Sequence, residues 1–174
     1  MNHLEQLAGE WLEYNNYIVR GSIPVGGRPR GGYEGELDVV GFNFQTHHLV
    51  HIECSLDALS WPQREQRFQQ QFQRGRDHIN EVFQGLDIAN ERLDQILLHQ
   101  FIPSIAGRNI GGARLVTVRS FIREIYYGLR DTTPAKGAVP SNFPLLRTLQ
   151  VARDAENNGN LAPENDRLIR AANL

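Results

Sequence analysis

GELDVVGFNFQTHHLVHIECS, residues 35–55, holds two short apolar runs, LDVVGF and LVHIEC, and each carries one carboxylate. Alternate residues of a strand share a face. Glu36 and Asp38 therefore lie opposite Leu37 and Val39. Only about residues 44–46 separate the two runs, which favours an antiparallel hairpin of strands 36–43 and 48–54. A hairpin centred near residue 45 sets Asp38 against residue 52 or 53, so Asp38 and Glu53 occupy neighbouring strands. Acids are depleted in strands, and two converging carboxylates repel unless a cation lies between them. Hard cations such as Mg²⁺ take one or two carboxylates and keep waters for substrate phosphates. Spacing alone leaves a second reading open, with both acids solvated on an open sheet face.

Around this stretch, the chain reads as one mixed α/β domain spanning residues 1–174. Leu4, Leu7, Trp11, Leu12 and Tyr14 predict a helix over 3–15. Residues 17–20 predict a short strand. GSIPVGGRPRGGYEG, residues 21–35, reads as a long loop because Gly and Pro punctuate it throughout. Ser60, Pro62 and Gln63 mark a helix start of the capping-box kind. That helix is expected to run to about Phe83 with Trp61, Phe68, Phe72, Ile79 and Phe83 on one stripe. Strands are expected over 95–102 and 113–120, helices over 121–130 and from 143 onward, and a last short helix over 163–172.

Bulk composition narrows the classes. No apolar run approaches the roughly 20 residues of a membrane helix, and the acids of MNHLEQLAGEWLEY do not suit a signal peptide. A cytoplasmic protein with no membrane partner is expected. The single cysteine, Cys54, excludes an intrachain disulfide and a Cys-rich zinc site. Alternation with Glu53 turns Cys54 inward, as a small hydrophobe. The net charge of −2 gives no overall basic field, yet Arg64, Arg67, Arg74 and Arg76 cluster in one segment and Arg108, Arg114, Arg119 and Arg123 in another. Lys136 is the only lysine. His47 and His48, with His51 nearby, read as a polar turn rather than a zinc site.

With these residues in place, the chain resembles the PD-(D/E)XK nuclease superfamily, the restriction-endonuclease-like fold, in its resolvase-like and Mrr-like branches. LEQLAGEWLEYNNYIVR is similar to the family's opening helix and aromatic, GELDVVGF to its Asp-bearing strand, and HIECS to its Glu-bearing strand. The likeness covers about residues 3–80. It implies a mixed central β-sheet flanked by helices. It also implies a metal site for Mg²⁺ or Mn²⁺ formed by Asp38, Glu53 and the carbonyl of Cys54, with Glu5 as the helix acid. The implied activity is a metal-dependent DNA endonuclease that hydrolyses phosphodiester bonds in defence or repair, working as a homodimer or with a partner subunit. Arg28 and Arg30 in the Gly-rich loop, and Arg64, Arg67 and Arg74 on the following helix, would meet DNA phosphates.

One position departs from the family. Ser55 stands where its lysine belongs, and serine supplies no positive charge. Gln71 or Arg67 on the next helix are the replacements the likeness suggests. The departure also keeps a second function open, a nuclease-fold DNA-binding or assembly module without catalysis. A third is an α/β interaction protein unrelated to nucleases.

Overall fold

The computed structural model describes residues 2–56, 59–86, 88, 92–100 and 109–157. The chain divides into two compact units, residues 1–125 and 126–174. The first unit is a mixed six-stranded sheet flanked by helices, so the expected α/β class and mixed central sheet hold.

Helix α1 (His3–Tyr14) begins at a reciprocal cap. The Asn2 side chain accepts the N–H groups of Leu4 and Glu5 at 2.9 and 3.0 Å, and the Glu5 carboxylate accepts the Asn2 N–H at 2.9 Å. Three of the N–H groups that lack an intrahelical partner are thereby satisfied. The helix ends where Asn16 turns left-handed, with φ 65°.

Strands β1 (Ile18–Gly27) and β2 (Tyr33–Asn43) form a long antiparallel hairpin, from Ile18 opposite Phe42 to Gly27 opposite Tyr33. This corrects the reading of residues 21–35 as a loop. Only residues 28–32 form the turn. β1 is the edge of the sheet, where a strand tolerates Pro24 because a missing ladder donor costs little there. Gly26, at φ +67°, lies against Glu34, whose Cγ would sit 2.7 Å from any added Cβ. The glycines that suggested a loop thus serve a bend and a close approach within the hairpin.

β2 pairs antiparallel with β3 (His48–Ser55) across a turn at residues 44–47. The Asn43 carboxamide accepts the N–H groups of Gln45 and Thr46 at 2.9 and 3.0 Å, which tightens the turn. The pairs run from Asn43 opposite His48 to Val39 opposite Ile52, so the ladder ends just before Asp38 and Glu53. Alternation slips here, however. Leu37, Val40 and Phe42 all join one buried cluster, although strict period two would separate the first from the others.

After β3 the chain crosses over through helix α2 (Trp61–Val82) to β4 (Leu93–His99), parallel to β3. β6 (Ala113–Thr117) lies parallel to β4, and the two-residue β5 (Asn109–Ile110) pairs antiparallel with β6. The α2 start is as read from sequence, with the Ser60 N–H and hydroxyl both donating to Gln63 Oε1. Of the expected stripe, Phe68, Phe72, Ile79 and Phe83 are buried and Trp61 is half-buried. Phe72 packs with Phe68, Leu97 and Leu115, while Ile79 and Val82 pack with Leu37, Phe42 and Leu49. Each fully buried side chain of this size contributes about 1.5–3 kcal/mol. A Cβ on Gly41 would meet Leu12 of α1, whereas a Cβ on Gly75 of α2 would meet His51. Gly41 pairs with Val50, the neighbour of His51, so α1 and α2 cover opposite faces.

Gly75 gives a direct test of that packing. An added Cβ would lie 2.4 Å from His51 Nδ1 and 2.9 Å from Gln95 Nε2. Alanine in a helix interior normally gains about 1 kcal/mol over glycine, whereas overpacking costs about 1–3 kcal/mol. Both contacts are with buried side chains, so overpacking dominates. Gly75→Ala is expected to lower the free energy of unfolding by about 1–2 kcal/mol, measured by urea denaturation.

Helix α3 (Val118–Gly128) begins in the first unit and ends in the second. In the second unit, the buried Gln150 of α4 (Pro144–Asn157) holds the connecting loop. Its Nε2 donates to Thr132 Oγ1 and the Gly137 carbonyl at 2.9 and 3.0 Å, and its Oε1 accepts the Val139 N–H at 2.9 Å. The expected helix over 163–172 lies outside the described residues. Among the described residues, no helix is long and apolar enough to cross a membrane.

Candidate functional site

Asp38 and Glu53 lie side by side at the end of the β2–β3 ladder. Asp38 Oδ2 accepts the Cys54 N–H at 2.8 Å. In an extended strand the N–H and C=O of one residue point to the same side, so the Cys54 carbonyl also faces toward β2. Burial first, and then the negative charge of Glu53, push the Asp38 carboxyl up from 3.8 to about 7. Glu5 and Glu36 add smaller repulsions, while the bond from Cys54 N–H acts the other way. The three acids singled out in the sequence thus share one electrostatic neighbourhood.

Glu53 is fully buried. Its Oε1 lies 2.8 Å from His51 Nε2, whereas its Oε2 is buried with no hydrogen-bond partner among the described residues. A buried carboxylate oxygen without a protein donor is costly. The side chains and carbonyl around it offer oxygen donors, which suit a hard divalent cation. Among the described residues, no three His, Cys, Asp or Glu side chains are grouped to hold a metal ion. Glu5 is near in charge but is occupied as the partner of Asn2 in the α1 cap.

The remaining residues fall in different places. Cys54 is buried, and burial followed by the charge of Asp38 pushes its thiol well above the usual range. It is an inert core thiol. Gln71 lies on α2, one turn before Gly75, and its Oε1 is also buried without a partner among the described residues. Because β3 and β4 run parallel, α2 runs back between them, which brings Gln71 level with the Glu53 end of β3. Ser55, where the likeness would put a lysine, is buried and pairs opposite His99 of β4.

The arginines are dispersed. Arg28 and Arg30 occupy the exposed turn between β1 and β2. Arg67 is exposed on α2, with its guanidinium 5.5 Å from the Phe68 ring centroid. Arg74 is half-buried against Gly35, where a side chain would meet its Cδ at 2.8 Å. Arg64 is buried, 4.7 Å from the Trp61 ring centroid, so it is not an exposed phosphate contact. Of the second cluster, Arg114 pairs with Asp94 at 2.9 Å, Arg119 and Arg123 are exposed, and Arg108 lies outside the described residues.

His51 was not legible as part of this site. Its grouping with His47 and His48 as a polar turn is corrected. His47 lies in the turn, His48 opens β3 and bonds the Tyr17 hydroxyl at 2.7 Å, and His51 is fully buried against Glu53. The available signal was the spacing of two in HIE, which puts both side chains on one strand face.

No protein-family model and no curated protein matches the chain.

Proposed function

We propose that this protein is a metal-dependent DNA endonuclease with a restriction-endonuclease-like core, using Asp38, Glu53 and the Cys54 carbonyl to hold Mg²⁺ or Mn²⁺. The supporting observation is the paired-acid geometry. Two carboxylates adjoin on neighbouring buried strands, one with its pKa raised to about 7 and the other with a buried, unpartnered oxygen. A divalent cation bound there would polarise a phosphodiester and promote water attack. The chain's own contribution is to fix the donors. The Cys54 N–H orients Asp38, the charges of Asp38 and Glu53 lie close enough to interact, and burial keeps competing water away from Glu53. Gln71, whose Oε1 is buried without a partner among the described residues, is the α2 residue proposed to stand in for the lysine that the likeness would put at Ser55. Arg28, Arg30 and Arg67 offer exposed charge for phosphates.

Ligand carboxylates must ionise before they bind a cation. Calorimetry should therefore show Mn²⁺ affinity rising about tenfold per pH unit up to about 7, the raised value for Asp38, and levelling above it. Absence of binding at pH 8, with and without DNA, would overturn the metal reading.

Ser55 favours one other reading, a DNA-binding or assembly module that keeps this fold without catalysis. That module would retain DNA in EDTA and after Asp38→Asn.

A further inference from the structure

We propose that His51 is a positioning residue for Glu53, and that Gln95 and Arg76 dictate which ring nitrogen carries its proton. The inference rests on the reading of Glu53 as a metal ligand and extends it to the shell behind that ligand.

One chain of bonds links Arg76 to Glu53. Arg76 Nη1 donates to Gln95 Oε1 at 2.6 Å, and a guanidinium can only donate. Gln95 Nε2 donates to the Phe72 carbonyl at 2.8 Å, and a carbonyl can only accept. Both ends of the Gln95 amide are thereby assigned. Its Nε2 also lies 3.3 Å from His51 Nδ1, so Nδ1 is the acceptor. A neutral imidazole that accepts at Nδ1 carries its proton on Nε2. That nitrogen faces Glu53 Oε1 at 2.8 Å and donates to it.

The consequence falls on the other carboxylate oxygen. With Oε1 tethered by His51, the carboxylate cannot rotate freely, and Oε2 is left as the oxygen without a protein donor. A rigid carboxylate with one oxygen held and one presented is what an outer-shell histidine provides to a metal ligand. Two further features hold the ring. Phe72 meets it edge-on, with centroids 5.5 Å apart, and Gly75 opens the space beside Nδ1 that any side chain would fill. A histidine that merely filled the core would not need a donor assigned through two further side chains.

The test has a structural arm and a binding arm. In metal-free, ¹⁵N-labelled protein at pH 8, long-range ¹H–¹⁵N spectra should show His51 as the Nε2–H tautomer. Gln95→Met, which keeps length and loses the donor, should mix the tautomers. Mn²⁺ affinity should fall by about 10–100-fold in His51→Leu. His51→Gln can place a donor near the former Nε2 and should recover most of that loss. An Nδ1–H tautomer in the wild type would overturn the proposal, as would wild-type affinity in a folded His51→Leu. If His51→Leu fails to fold, the tautomer and the Gln95→Met affinity decide. Wild-type protein that binds no Mn²⁺ would instead overturn the underlying metal reading.

Discussion

Asp38→Asn is expected to stabilise the metal-free protein at pH 8. The folded state raises the Asp38 pKa from 3.8 to about 7, chiefly through burial and then through the charge of Glu53. Between those two values the folded protein holds a proton that the unfolded chain has lost. Asp38's favourable contribution is complete below 3.8 and is lost as pH rises through about 7. At about 1.4 kcal/mol per pH unit the ceiling is about 4 kcal/mol. Asp38 is only half-buried, so solvent screening reduces this to about 2 kcal/mol. Asparagine removes the repulsion and retains an acceptor for the Cys54 N–H. The gain in urea denaturation should shrink as pH falls and vanish below about pH 4. No gain at pH 8 would mean that burying the Asp38 charge beside Glu53 costs the fold little. A functional site commonly lowers stability in this way.

Much of this architecture is legible from residue pattern, for local reasons. The hairpin follows from two apolar runs and a short turn, and its register sets Asp38 beside Glu53 without tertiary information. The Ser60–Gln63 start and the aromatic stripe of α2 follow from capping and helical period. The stretch 21–35 misleads because Gly and Pro act as punctuation only when a strand lacks neighbours to satisfy it. Here β1 is an edge strand, where Pro24 costs no ladder bond, and Gly26 accommodates Glu34. The two-residue β5 is too short to show any period.

Within the site, Asp38 and Glu53 stand out because each interrupts an apolar run. His51 does not, because its role depends on Gln95 of β4 and on the room left by Gly75. No local pattern links those residues. Glu5 shows the opposite limit. Its spacing suits the family's helix acid, yet its carboxylate also completes the Asn2 cap, a task visible from the sequence order Asn-x-x-Glu.

The largest expected effect concerns cleavage. If Asp38 and Glu53 jointly hold the ion, removing either leaves an incomplete set. Losing a ligand forfeits several kcal/mol of transition-state stabilisation, and each 1.36 kcal/mol is tenfold in rate. A fall of about a thousandfold or more is expected for Asp38→Ala and for Glu53→Gln. Serine brings no positive charge at position 55, so on the proposed reading any activity would rest on the ion, on Gln71 and on the exposed arginines.

The deciding measurement is cleavage of supercoiled plasmid and of single-stranded DNA by purified protein with Mg²⁺, Mn²⁺ or EDTA, run beside Asp38→Ala. The account predicts cutting with either metal, none in EDTA, and near-complete loss in the variant. Equal cutting by Asp38→Ala, or no cutting by the folded wild type with both metals, would contradict it.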